Sequence, residues 1–271
     1  MAEQKNQNSQ KNQKNTKVVI LCGGMGTRLR EQTEFMPKPL VEIGGMPILW
    51  HIMKTYSHYG FKDFILCLGY KGDMLKEYFV NFEWKANDFT LNLKSKKEKI
   101  IHSNNTDDWN ITFVNTGLET NTGGRIKKIE KYIDGDMFLV TYGDGVADID
   151  INKLMAYHNS LKPTATLSAI HPISRFGVIE VDNKGFAKSF KEKPQLDGVI
   201  NGGFFVFNRK IFDYLDENCV LEQDPLMALA KENKLAVYEH KGFWYCMDTF
   251  KDMEYLNGLW KKGNVPWKVW K

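Results

Sequence analysis

The sequence has 271 residues, 42% of them apolar and 26% charged, enough to bury a sizeable core as one large α/β domain or two small ones. Its net charge of +4 is concentrated at the start, where Lys5, Lys11, Lys14 and Lys17 against Glu3 leave +3. The near-neutral remainder argues against a nucleic-acid-binding body, and no apolar run approaches membrane-spanning length.

Residues 1–16 are Gln, Asn and Lys with no aromatic residue, too polar to offset the entropy of ordering, and they read as a disordered tail without the apolar core of a secretion signal. The rest, 17–271, is expected to form a single domain in the cytoplasm, with neither nucleic acid nor membrane as partner. Cys22, Cys67, Cys219 and Cys246 are scattered and two lie in apolar runs, so free thiols are expected rather than disulfides or zinc ligands.

The first element is the run Val18-Val19-Ile20-Leu21-Cys22, a short buried strand that stops in Gly23-Gly24-Met25-Gly26-Thr27-Arg28. Glycine has no Cβ, so peptide N–H groups there can converge on phosphate oxygens, with Arg28, Arg30 and Lys38 at hand to add charge. The dinucleotide fingerprint fails because Leu29 stands at its third glycine, and the P-loop fails because Thr27-Arg28 follows Gly26. Lys38 lies between Pro37 and Pro39. Pro47 then opens a helix with Ile48, Leu49, Ile52, Met53 and Tyr56 on one face, ended by Gly60. A second apolar strand, Phe64–Leu68, leads to a helix over 73–81, and continuous apolar strands fit a parallel sheet covered on both faces.

Residues 84–112 break this rhythm and read as a protruding β flap around a lysine-rich link at 94–99. Alternation resumes with the strand Ile111–Val114, a glycine-bearing loop from Thr116 to Gly124, a helix over 125–133, and the strand Met137–Thr141 running into Tyr142-Gly143-Asp144-Gly145. Ligands gather at the carboxyl ends of parallel strands, which places Asp144 where a metal would serve a phosphate held by the first loop; an ordinary Asp-Gly turn is the competing reading. Further on come a strand at Ala165–Ile170, a hairpin turning at Asp182-Asn183-Lys184-Gly185, and a strand over Phe204–Phe207. Asp248 lies among apolar residues and needs a partner. Trp260, Trp267 and Trp270 at the end fit docking on the body or on another subunit.

Taken together, Gly23–Leu29, Pro37-Lys38-Pro39, Gly143-Asp144-Gly145, Phe190–Pro194, Asn201-Gly202-Gly203 and Met247-Asp248-Thr249 resemble, in order, the motifs of sugar-1-phosphate nucleotidylyltransferases. Val41–Gly45, Leu49–Met53, Thr122–Arg125, Thr141–Asp148 and the tryptophan-rich end narrow the resemblance to glucose-1-phosphate cytidylyltransferases, over about residues 17–271. The resemblance implies a Rossmann-like three-layer α/β fold: a mixed, mainly parallel sheet with helices on both faces, the flap, and a C-terminal part at 250–271 for sugar binding or oligomerisation. It implies CTP and glucose 1-phosphate as substrates, CDP-glucose and pyrophosphate as products, Mg²⁺ as cofactor, a homo-oligomer, and a role in deoxysugar synthesis for surface polysaccharide such as O-antigen. Carried over by position, Leu21, Cys22, Gly23, Gly24, Met25, Gly26, Thr27, Arg28, Lys38, Glu119, Gly124 and Gly143 would bind the nucleotide. Arg28, Lys38 and Asp144 would serve catalysis, Asp144 and Asp248 would hold Mg²⁺, and Glu192, Lys193, Asn201 and Gly202 would meet the sugar phosphate. The loop Thr116–Asn121 and the link Gln195–Ile200 depart from the family pattern. Transfer from UTP or dTTP, or a catalytically silent nucleotide-sugar sensor, therefore stand as alternatives.

Overall fold

The computed structural model of the protein describes residues 16–95, 99–103, 106–174 and 176–271. The tail expected over 1–16 lies outside them except for Thr16, which is buried. Strand β1 (Val18–Cys22) is buried at every position. Val18 and Ile20 pack into one core and Val19 and Leu21 into another, because a strand's side chains alternate between faces and both faces of this one are covered.

In chain order, β1 gives way to a 3₁₀ turn at Thr27–Leu29 and a one-turn helix at Arg30–Thr33. The two-residue strands β2 (Glu42–Ile43) and β3 (Met46–Pro47) then pair and lead into the helix Ile48–His58. Strand β4 (Asp63–Leu68) and the helix Gly72–Val80 follow. In the flap, β5 (Phe89–Leu91) pairs antiparallel with β6 (Lys99–Ile101), while Lys96, Lys97 and Glu98 of the lysine-rich link lie outside the described residues. The loop after the flap is tied to the body by Asp107, which accepts from Trp50 Nε1 at 3.1 Å and Lys54 Nζ at 2.7 Å.

Strands β7 (Asn110–Asn115) and β8 (Met137–Tyr142) flank the helix Thr122–Lys128. After β8 come β9 (Gly145–Ala147), the helix Ile151–Leu161 and β10 (Ala165–Ile170). Strands β11 (Val178–Val181) and β12 (Ala187–Lys191) form a separate two-stranded arm, and β13 (Ile200–Asn208) returns to the main sheet. The chain closes with the helix Asp224–Lys231, β14 (Leu235–His240), β15 (Trp244–Cys246) and the helix Phe250–Lys261.

The central sheet has seven strands in the order β14-β10-β13-β8-β1-β4-β7, all parallel except β13, which runs antiparallel to both β8 and β10. The core on one face joins Ile48, Ile52, Leu154, Leu256 and Trp267; the core on the other joins Ile126, Phe138, Phe212 and Leu229. This is the three-layer α/β arrangement with a mixed, mainly parallel sheet.

The C-terminal tryptophans dock on the body. Trp267 is fully buried, and its indole Nε1 lies 3.4 Å from His51 Nδ1. His51 also touches the rings of Trp260 and Trp270, and its Nε2 lies 2.8 Å from the Ile43 carbonyl. One ring nitrogen thus accepts and the other donates. That is the neutral tautomer, and burial pushes the His51 pKa down to about 4.

Candidate active site

The carboxyl ends of β1 and β8 open into a cleft of about 390 Å³. Its floor and lip include Leu21, Cys22, Gly23, Gly24, Gly26, Thr27, Arg28, Lys38, Gly143, Asp144 and Asp248, all residues expected at the site. Met25 is exposed beside them and does not line the cleft. The backbone can turn away from β1 because Gly26 sits at φ +62°, a conformation that side-chain-bearing residues avoid. Gly24, Thr27 and Arg28 remain exposed to an incoming ligand.

At the centre is a four-residue charge cluster. The Lys38 ammonium donates to Asp144 Oδ2 and to Asp248 Oδ1, each at 2.7 Å, and Arg28 Nη1 lies 2.9 Å from Asp248 Oδ2. The 3₁₀ turn that follows Pro37 delivers Lys38, the β8–β9 connection delivers Asp144, and the connection from β15 to the last helix delivers Asp248. These last two segments are joined directly by the Met247 N–H, which donates to the Asp144 carbonyl at 2.9 Å. Burial alone would push the Lys38 ammonium down, but Asp144 and Asp248 outweigh it and hold its pKa above the ordinary lysine value.

The position between the two carboxylates is therefore a seat for positive charge. Donor atoms of Asp144, Cys246 and Asp248 lie within 4.8 Å of one another. Burial and the neighbouring Asp144 push the Cys246 thiol far up, so it offers a neutral sulfur to any cation. A hard cation such as Mg²⁺ takes carboxylate oxygens instead, and the donor set fits it through Asp144 and Asp248. Cys22 is fully buried and burial raises its pKa well above the usual thiol range, as befits packing rather than a nucleophile.

Arg125 was not among the expected site residues. Its buried guanidinium donates to the carbonyls of Leu68 (3.2 Å) and Gly117 (2.7 Å) and to the Thr116 hydroxyl (2.7 Å) through Nη1, and to the Gly23 (3.2 Å) and Leu118 (3.1 Å) carbonyls through Nη2. One side chain thus ties the glycine loop to the Thr116–Asn121 loop. No spacing rule could find it, since four of its five acceptors are backbone carbonyls, whatever residues carry them.

Other expected residues lie elsewhere. Glu119 is exposed and off the cleft lining, where its neighbours Thr120, Asn121 and Thr122 stand instead. Gly124 is buried within a helix: its N–H donates to the Cys219 carbonyl at 3.1 Å, and a Cβ there would come within 2.2 Å of the Glu217 carbonyl oxygen. Its amide is thus committed to the fold. Glu192 and Lys193 follow directly on the exposed β11–β12 arm, 3.9 Å from each other and outside the cleft lining. Asn201 and Gly202 begin β13 beside the cleft wall, Asn201 Nδ2 donating to Tyr142 Oη at 3.3 Å and the Gly202 carbonyl accepting from Trp244 Nε1 at 2.6 Å.

A glycine-lipped cleft at strand ends, holding two cations against two carboxylates, defines a class: α/β transferases that handle phosphate esters. Residues 17–261 match the nucleotidyl transferase family, and the chain belongs to it. The glucose-1-phosphate cytidylyltransferases of Salmonella typhimurium and Salmonella typhi are each 50% identical to it over 257 residues, covering 94% of this chain and 99% of theirs. Among solved structures it is similar to HddC from Yersinia pseudotuberculosis, 26% identical with a TM-score of 0.67, over 90% of this chain and 99% of that one.

Proposed function

We propose that the protein transfers the cytidylyl group of CTP to glucose 1-phosphate, giving CDP-glucose and pyrophosphate. The observation that carries the chemistry is the Lys38 ammonium held between Asp144 and Asp248 beside Arg28; the choice of base and sugar rests on the 50%-identical relatives.

A phosphate oxygen of glucose 1-phosphate attacks the α-phosphorus of CTP, a P–O bond forms, and the bond to the β-phosphate oxygen breaks. Both reactants are polyanions, so repulsion and positioning are the obstacles, and a nucleophilic side chain is not required. The exposed glycine loop admits the triphosphate, and Arg28 and Lys38 neutralise its phosphates and the charge that grows on pyrophosphate. Asp144 and Asp248 would hold Mg²⁺, which when bound offsets phosphate charge and polarises the α-phosphate. The walls at Thr120–Thr122 receive the base, while Asn201 and Gly202, at the start of β13, receive the sugar side. Lys193, at the end of the β11–β12 arm, meets the sugar phosphate in this reading.

The protein acts as a homo-oligomer in this reading. An isolated two-stranded sheet is marginal in water, yet Phe176, Ile179, Phe186 and Phe190 on and beside the β11–β12 arm are each more than half exposed. Among the described residues no helix is long and apolar enough to cross a membrane, and the four cysteines are free, which supports action in a reducing cytoplasm. The test is pyrophosphate release from the purified protein with Mg²⁺ and glucose 1-phosphate, comparing CTP, UTP, dTTP, ATP and GTP. A preference for CTP is expected. Preference for UTP or dTTP would keep the mechanism and overturn the base, and inactivity with all five would favour a sensor.

A further inference from the structure

We infer that Glu222 is a positioning residue for the sugar-phosphate half of the site, acting through Tyr142 on Asn201. It lies in the turn before the helix Asp224–Lys231, distant in sequence from every expected site residue, and no motif includes it. Its two carboxylate oxygens divide the work. Oε1 accepts the Tyr142 hydroxyl proton, and Oε2 accepts from Thr122 Oγ1 at 2.6 Å. The Thr122 oxygen in turn accepts the Leu221 N–H at 2.9 Å, so the turn and the nucleotide wall are closed on each other.

Direction in this chain follows from donor counting. A carboxylate carries no proton and a phenol has one to give, so Tyr142 is the donor. The Tyr142 oxygen is then left as an acceptor, and Asn201 Nδ2 fills that role at 3.3 Å. Asn201 Oδ1 is already committed to the Gly203 N–H at 2.8 Å. The orientation of the Asn201 amide is thereby fixed at both ends, and its second N–H has no partner among the described residues and can meet a sugar hydroxyl. Without the Glu222 carboxylate, the Tyr142 proton can rotate toward Asn201 Nδ2, donor against donor, and the amide keeps only its Gly203 anchor.

This inference rests on the sugar-side reading of Asn201, and the experiment separates the two. Steady-state kinetics would compare wild type, Glu222→Ala, Tyr142→Phe, their double variant, Glu222→Gln and Asn201→Ala, with thermal melts to verify folding. Glu222→Ala is expected to raise KM for glucose 1-phosphate about tenfold, the scale of one oriented hydrogen bond, with a smaller rise in KM for CTP through the lost Thr122 contact, whereas Tyr142→Phe, which leaves that contact in place, should change KM for CTP less than twofold. The double variant should be no worse than Tyr142→Phe, because both changes cut one chain. Glu222→Gln, which keeps an acceptor oxygen, should fall between wild type and Glu222→Ala. Equal increases in both KM values, or additive effects in the double variant, would reduce Glu222 to a fold staple and overturn the inference. Should Asn201→Ala leave KM for glucose 1-phosphate unchanged, the sugar-side reading fails. A normal Asn201 effect beside additive Glu222 and Tyr142 effects would sink only the positioning role.

Discussion

The Lys38 ammonium holds together two carboxylates that would otherwise repel each other, and this makes Asp144 replaceable for folding but not for turnover. In Asp144→Asn the Lys38 and Arg28 contacts to Asp248 remain, at 2.7 and 2.9 Å, so the cluster keeps two of its three ion pairs and the melting temperature should shift little. What disappears is half of the cation seat. Turnover should fall by about a hundredfold or more, the scale seen when one aimed electrostatic group is lost from a transition state. Near-normal rates at saturating Mg²⁺ would contradict that role. Asp144, Asp248, Lys38 and Arg28 were all legible in the sequence, because charged residues beside glycine, proline or apolar strand ends are unusual enough to notice. Arg125 and Tyr142 stood within motifs but carried no readable role, and Glu222 stood in none. Arg125 bonds mainly to carbonyls, and the Glu222 contacts to Thr122 and Tyr142 span 100 and 80 positions, separations that no local pattern encodes.

At the scale of elements, the turn bearing Asp248 is fixed by the start of the last helix. Asp252 Oδ2 accepts from the Asp248 N–H (3.1 Å), the Thr249 N–H (2.8 Å) and the Thr249 hydroxyl (2.8 Å), and Oδ1 accepts from Tyr245 Oη at 3.0 Å. Although burial opposes the charged form, these bonds hold the Asp252 carboxyl below its usual pKa. Thr249 and Asp252 together form a capping box. Thr249→Ala should cost about 1 kcal/mol in urea unfolding, as cap losses do, with little effect on the Mg²⁺ requirement, since the backbone N–H bonds survive. Asp252→Ala should cost about 2 kcal/mol and also raise the Mg²⁺ needed for half-maximal rate, because Asp248 loses its anchor. An unchanged Mg²⁺ requirement in Asp252→Ala would show that the turn holds without it. The helix Ile48–His58 and strands β1, β4, β8 and β10 were readable from apolar runs and their punctuation. Strands β9, β14 and β15 were not: β9 and β15 are three residues long and pair with each other, and β14 carries its glutamate and histidine at the sheet edge. The helix expected over 125–133 runs instead over Thr122–Lys128 and gives way to a 3₁₀ turn at Glu130–Tyr132; its early start follows because Gly123 and Gly124 pack against the Cys219 and Glu217 backbone and propensity gives way to close approach.

For the whole molecule, the three-layer plan followed from continuous apolar strands, whereas the reversal of β13 between β8 and β10 did not, since a strand covered on both faces is continuously apolar whichever way it runs. Nor could the sequence choose where its terminal tryptophans go; the neutral His51 in their midst makes that docking sensitive to acid. His158 is a second such group, buried against Thr166 Oγ1 at 2.9 Å, and burial lowers the pKa of each histidine to about 4. The sign follows from proton counting. Between the ordinary value of about 6.5 and about 4 the unfolded chain binds protons that the folded chain refuses, so the stabilisation is complete above 6.5 and is lost as pH falls toward 4. Over that gap, at about 1.4 kcal/mol per pH unit, each histidine accounts for on the order of 3 kcal/mol, a large share of a domain's 5–15 kcal/mol. The paired carboxylate at Asp252 titrates below this window and does not mask it. The melting temperature is therefore expected to drop steadily between pH 7 and pH 4.5, and His158→Gln, which cannot ionise, should flatten that slope by about half. Measured by circular dichroism in low-salt buffers, a melting temperature constant across the window would mean that the two imidazoles protonate without leaving the core.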